Sequence, residues 1–174
     1  MSGYGDKPFG LRDVKFTDIT GSTQVDLPVA RTLSLKERLR TGELSGDDQL
    51  QAVVAFSEAV EWSLEEGGIS LEAYALITGR TVSTAGSSPS ETTTLTVDGA
   101  ETFPYFKIYG KSIGDGDDDV HVKLFKAKVT GGLEGTLQDG SFFVTKCSGI
   151  AVDDGVNGIM DIVQNETADD LPAT

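Results

Sequence analysis

The densest set of potential ligands in the chain is the acidic run Gly114–Asp119, GDGDDD. Set to a calcium-binding helix–loop–helix register, Asp115, Asp117 and Asp119 take the first three ligand positions. The sixth position then falls on Val120, where the sharp turn needs glycine, and the twelfth on Lys126, where a bidentate glutamate is needed. That register fails, and the run reads as a solvated hairpin tip. Cys147 is the single cysteine, so neither an intramolecular disulfide nor a cysteine zinc cluster can form. It lies in SFFVTKCSGIAV, a strand-like run that suits a buried thiol. A catalytic thiol needs a histidine beside it, and His121 is the one histidine available. The face neighbours of His121, Lys123 and Phe125, offer it no acid, so a structural or surface role is expected.

Glu61, Glu65 and Glu66 raise the question of paired carboxylates for glycoside chemistry. Glu61 and Glu65 share a strand face four positions apart, too far for a retaining pair, and no aromatic platform flanks them. An exposed acidic face is expected there. Lys36, Arg38 and Arg40 form a basic stripe without interleaved aromatics, a poor pattern for nucleic acid and a better one for pairing with acids such as Asp47 and Asp48 of a neighbouring chain. No phosphate-cradling glycine loop and no serine nucleophile elbow occurs. The expectation is therefore a chain with no catalytic, cofactor or metal residues.

Strands dominate the elements that would carry these residues. Leu33, Leu35 and Leu39 alternate with Thr32, Ser34, Lys36, Arg38 and Arg40, the period of a half-buried strand. Thr41–Asp48, TGELSGDD, lacks apolar period and holds two glycines, so it predicts a polar loop. Val53, Val54 and Phe56 resume strand character; Val60, Trp62 and Leu64 alternate with glutamates and serine until Gly67-Gly68. The result is a long hairpin whose arm, about residues 40–49, projects to touch something. Ser70–Thr78 predicts the one helix, with Ser70 as N-cap, Glu72 at its positive end and Gly79 as its left-handed stop. Leu71, Ala75 and Leu76, flanked by Tyr74 and Ile77, are its expected apolar face.

Further strands are expected at Leu11–Thr17, Thr92–Val97, Tyr105–Lys111, Val120–Val129, Ser141–Val152 and Ile159–Gln164. Thr84–Glu91 reads as a small-residue loop, and Gly131-Gly132 as punctuation. Residues 1–10 form an expected flexible leader, 11–165 one domain, and 166–174 an acidic tail that frays. About eight strands and one helix predict a mainly β, two-sheet sandwich or barrel.

The 174 residues suffice for one core, and 38% hydrophobic content suits a globular chain. No apolar run is long enough to span a membrane, and MSGYGDKPFGLRD has no signal core. A net charge of −14 argues against wrapping nucleic acid, because phosphate affinity comes from clustered Lys and Arg.

In their order and spacing, RTLSLKERLRTGELSGDDQLQAVVAF, EWSLEEGGISLEAYALITGRTV, PYFKIYGKSIGDGDDDVHVKLFKAKVTG and GIAVDDGVNGIMDIVQNET resemble the tail tube (major tail) proteins of long-tailed, non-contractile bacteriophages. The resemblance covers roughly Gly10 to Thr167. It implies a β-sandwich with one flanking helix, six copies of which close into a ring around a lumen. Rings stack into a virion tail tube, assembled in the host cytoplasm, that conducts DNA without binding it. The implied partners are the tape measure, tail tip and tail terminator proteins.

The family's inter-ring hairpin loop corresponds here to Arg40, Thr41, Gly42, Glu43, Leu44, Ser45, Gly46, Asp47, Asp48 and Gln49. Six copies at −14 each carry −84 formal charges, enough to repel DNA from the wall. Glu61 and Glu65 are the expected lumen-facing acids; Lys36, Arg38 and Arg40 are expected at an interface or neutralised by neighbours. Two other readings stand beside this one: a ring protein of the type VI secretion kind, and a β-sandwich module binding carbohydrate or a host surface.

Overall fold

The computed structural model describes residues 7–68, 70–99, 102–114 and 116–171. Met1–Asp6 of the expected leader, Asp115 of the acidic run and residues 172–174 of the tail lie outside them. The described chain forms β1 (Phe9–Asp18), β2 (Gln24–Asp26), β3 (Ala30–Gly46), β4 (Gln49–Glu66), α1 (Leu71–Thr78), β5 (Val82–Ala85), β6 (Thr92–Leu95), β7 (Phe106–Ile113), β8 (Asp119–Gly135), β9 (Thr145–Ala151) and β10 (Met160–Asn165). The fold is mainly β, and every ladder is antiparallel.

Eight strands form one sheet in the order β2-β1-β7-β8-β9-β4-β3, with β10 on β8; β5 and β6 make a separate ribbon. The long β8 serves two neighbourhoods. Its first half, Asp119–Leu124, pairs with β7 on one side and β10 on the other; its second half, from Ala127, pairs with β9. The sheet folds over at β8, which brings β7 against β3. Gly110 marks the approach: a methyl group there would meet Leu33 Cδ2 at 2.7 Å. Gly131-Gly132, expected to end the strand, instead sits inside β8 at a register shift between Val129 and Leu133.

The core lies between the two layers. Val14 and Phe16 of β1, Phe106 and Ile108 of β7 and Leu124 of β8 supply one side; Val60, Trp62 and Leu64 of β4, Val129 and Ala151 supply the other. Alternate residues along each strand face inward, as the pleat requires. Phe16, Phe106 and Trp62 stack edge to face, with centroids 5.3 and 5.7 Å apart. Each such buried ring contributes about 1.5–3 kcal/mol.

Helix α1 closes one end of the sandwich. The Ala73 amide donates to Ser70 Oγ at 3.2 Å, and Gly79, at φ 74°, donates its amide to the Ala75 carbonyl at 2.8 Å. The caps stand where the sequence puts them, but the face is rotated. Ala73, Ile77 and Thr78 are buried, while Leu71, Ala75 and Leu76 are only half-buried. The i, i+4 pair Ala73–Ile77 is small enough to let the helix sit close over Phe16 and Leu64.

Candidate assembly surface

The long polar loop expected over Thr41–Asp48 does not exist as a loop. Strands β3 and β4 stay paired to Gly46↔Gln49, so Arg40, Thr41, Gly42, Glu43, Leu44, Ser45, Gly46 and Gln49 are all strand residues. Only Asp47 and Asp48 form the turn, with φ of 52° and 61°. Two successive left-handed residues make a type I′ turn, whose twist matches that of the flanking strands. Gln51 Nε2 donates to the Gly46 carbonyl at 3.1 Å and secures the tip.

This hairpin outruns the rest of the sheet. Pairing of β4 with β9 stops at Val60↔Ala151, and among the described residues no strand pairs with β4 from Gln49 to Ala59 except β3. Among the described residues, no strand pairs with the outer edge of β3 anywhere along its length. Exposure follows: Leu39, Leu44, Leu50, Val53, Val54 and Phe56 are 52–64% exposed, whereas Val60, Trp62 and Leu64 of the same β4 are at most 3% exposed.

A bulge divides the two halves. Arg38 opposes Ala59 and Leu39 opposes Ser57, leaving Glu58 as the extra residue. Beyond it, the even-numbered residues of β4 change sides. Phe56 and Val54 therefore oppose Arg40 and Gly42, on the face that nearer the core carries Ser34, Lys36, Glu61 and Ser63.

That same face holds both charge sets that the sequence suggested would serve separate purposes. Lys36 Nζ lies 3.7 Å from Glu61, Arg38 Nε lies 3.2 Å from Glu58, and Lys146 pairs with Glu65. The expected lumen acids Glu61 and Glu65 are thus not a bare acidic row; two lysines balance them. Within the chain, the stripe residues Lys36 and Arg38 pair with Glu61 and Glu58. Arg40 stands farther out, opposite Phe56.

The acidic run departs most from expectation. Among the described residues the tip is solvated only at Gly116 and Asp117; Asp118 and Asp119 are buried, Asp119 completely. Asn165 Nδ2 donates to Asp119 Oδ1 at 2.7 Å, and the Asp169 amide donates to Oδ2 at 2.8 Å. Lys111 Nζ and His121 Nε2 approach Oδ2 at 3.1 and 3.0 Å. Burial alone would raise the Asp119 carboxyl, but hydrogen bonds from Asn165, the Asp169 amide, Lys111 and His121 outweigh it and hold it at about 2.

His121 therefore has the acid partner it was expected to lack, two positions back on the same strand face. The tail is secured as well. The Ala168 amide donates to the Asp117 carbonyl at 2.6 Å, Lys111 Nζ donates to the Asp169 carbonyl, and Leu171 is buried. These contacts extend along the tail, expected to fray from 166, as far as Leu171.

Cys147 sits in β9 opposite Leu64 and Leu133, on a different stretch of β8 from His121. Burial, with the Glu66 charge beside it, pushes its thiol up to about 12, so the thiolate is negligible at neutral pH. Glu66 is itself buried, which raises its carboxyl. Among the described residues no cluster of three His, Cys, Asp or Glu is arranged to hold a metal, and no helix is long and apolar enough to cross a membrane.

The strongest surface feature is consequently the extended hairpin, a two-stranded ribbon apolar on both sides. No family model matches the chain, and no curated protein sequence matches it either.

Proposed function

We propose that this protein is a structural, non-enzymatic subunit that assembles with its own copies into stacked hexameric rings, forming the tail tube of a long-tailed bacteriophage. The observation that carries the reading is the ribbon 39–58, in which each strand has only the other as its neighbour among the described residues and apolar residues lie on both faces. An exposed, flat, apolar edge of this length templates aggregation unless another chain covers it. Closure with sister copies satisfies the unpaired β3 edge and buries Leu44, Val54 and Phe56 together. Strand pairing around a ring removes edges as a closed barrel does.

The sequence resemblance and the net charge agree with this reading. A ring at −84 formal charges, from six copies at −14 each, repels DNA phosphates and lets the duplex slide. Because Glu61 and Glu65 are balanced by Lys36 and Lys146, the repulsion belongs to the whole subunit rather than to those two acids. The test is negative-stain microscopy of concentrated protein, with and without the tail tip and terminator proteins. Wild type forms hollow tubes; deletion of Leu44–Gln49 leaves a folded monomer that forms none. A wild-type chain that stays monomeric under all these conditions defeats the proposal.

A further inference from the structure

The β8–β9 connection carries a second apolar feature, unrelated to the hairpin. Phe142 is 94% exposed, the highest of any large apolar side chain among the described residues, and Leu137 is 84% exposed. They flank a tight turn in which the Ser141 amide donates to the Gln138 carbonyl, with Gly140 at φ 74°. The segment 134–144 carries Glu134 and Asp139 and no basic residue. Nothing among the described residues covers these two side chains.

A receptor of matching size and charge exists elsewhere on the chain. Between β1 and β3, where the folded sheet is open, lies a cleft of about 390 Å³ walled by Leu11, Leu33, Leu35, Val120 and Val122, with Arg31 on its rim. A cavity of about 150 Å³ accepts a benzene ring, so this one holds a phenyl ring and a second side chain. Arg31 is exposed and makes no ion pair among the described residues.

The cleft is walled near the start of β8, by Val120 and Val122, and the loop leaves the far end of that strand after Gly135. At about 3.3 Å per residue the separation exceeds the reach of a side chain. A complementary pair placed this way is heterologous: copies join head to tail and generate a ring or a filament.

We propose that the β8–β9 loop of one copy seats in the β1–β3 cleft of the next, with Phe142 and Leu137 in the cleft and Asp139 against Arg31. The contact rests on the ring-forming reading and adds a second lateral joint beside the one the hairpin makes.

Single-cysteine chains test it. In a Cys147→Ser background, Phe142→Cys chains are mixed with Thr32→Cys chains, oxidised and run on a non-reducing gel. Thr32 lines the cleft and both substituted positions are exposed, so folding is spared. A mixed disulfide dimer at least ten times more abundant than dimer from either chain alone is expected. Arg31→Glu lowers its yield, and Asp139→Lys on the loop-bearing chain restores it. Tubes without the mixed dimer overturn the joint and leave the tube reading standing. A mixed dimer without tubes keeps the joint and overturns the tube. Dimers from Phe142→Cys alone show a two-fold face and overturn the head-to-tail pairing.

Discussion

Strand β4 lives in two environments. From Val60 to Glu66 its even-numbered side chains enter the core, and Trp62 is 2% exposed. From Gln49 to Phe56 the chain is at least as rich in apolar residues, yet Val53, Val54 and Phe56 lie more than half in solvent. Composition does not separate the halves; neighbours do. Strand β9 covers the first half and ends at Ala151 opposite Val60, just before the bulge at Glu58. Apolar content beyond the reach of the chain's own second layer stays in solvent, and it is this content that the proposed assembly would cover.

The contrast can be broken most sharply by truncating one ring in each half. Trp62→Ala removes one end of the stack centred on Phe106 and should cost about 3–5 kcal/mol of stability in urea denaturation. Phe56→Ala on the same strand should change the stability of the isolated subunit by less than about 0.5 kcal/mol while abolishing assembly. Equal losses from the two would mean that the distal ribbon packs on its own domain.

A second, smaller effect probes how the core half is closed at its far end. Asp119 is held at about 2 in the fold against about 3.9 in an unfolded chain, so its contribution is present above pH 4 and lost as pH falls from 4 towards 2. The linked loss is about 2 kcal/mol. Asp119→Asn should remove that acid step, cost about 2–3 kcal/mol at neutral pH, and speed hydrogen exchange at the Asp169 amide. An unchanged acid-denaturation profile in the variant would assign the step to other carboxyls. The smallest effect belongs to the exposed pair on the polar face. Lys36→Ala should cost less than about 1 kcal/mol, and 1 M salt should erase the difference from wild type.

Local chemistry was legible in the sequence, and distant chemistry was not. The helix boundaries could be read because Ser70 and Gly79 act within one turn of the chain they terminate. The hairpin turn was misread because Thr41–Asp48 shows no alternation when both faces are exposed. Gly42 and Gly46 suggested breaks, whereas the two left-handed positions fell on Asp47 and Asp48. The knot around Asp119 was invisible for another reason: Asn165 and Asp169 come to it from far along the chain. One local signal was available. Asp119 and His121 stand two apart on a strand and must share a face. The rotated helix face reflects which neighbours it meets, information that an eight-residue segment does not contain.

The shared strand β8 has a mechanical consequence. A pull on the ribbon enters β4, crosses the β4–β9 and β9–β8 ladders and reaches the opposite layer along the continuous backbone of β8. Antiparallel ladders loaded along their length share force among many hydrogen bonds at once, so the two halves of the sandwich, joined through one strand, resist shearing apart.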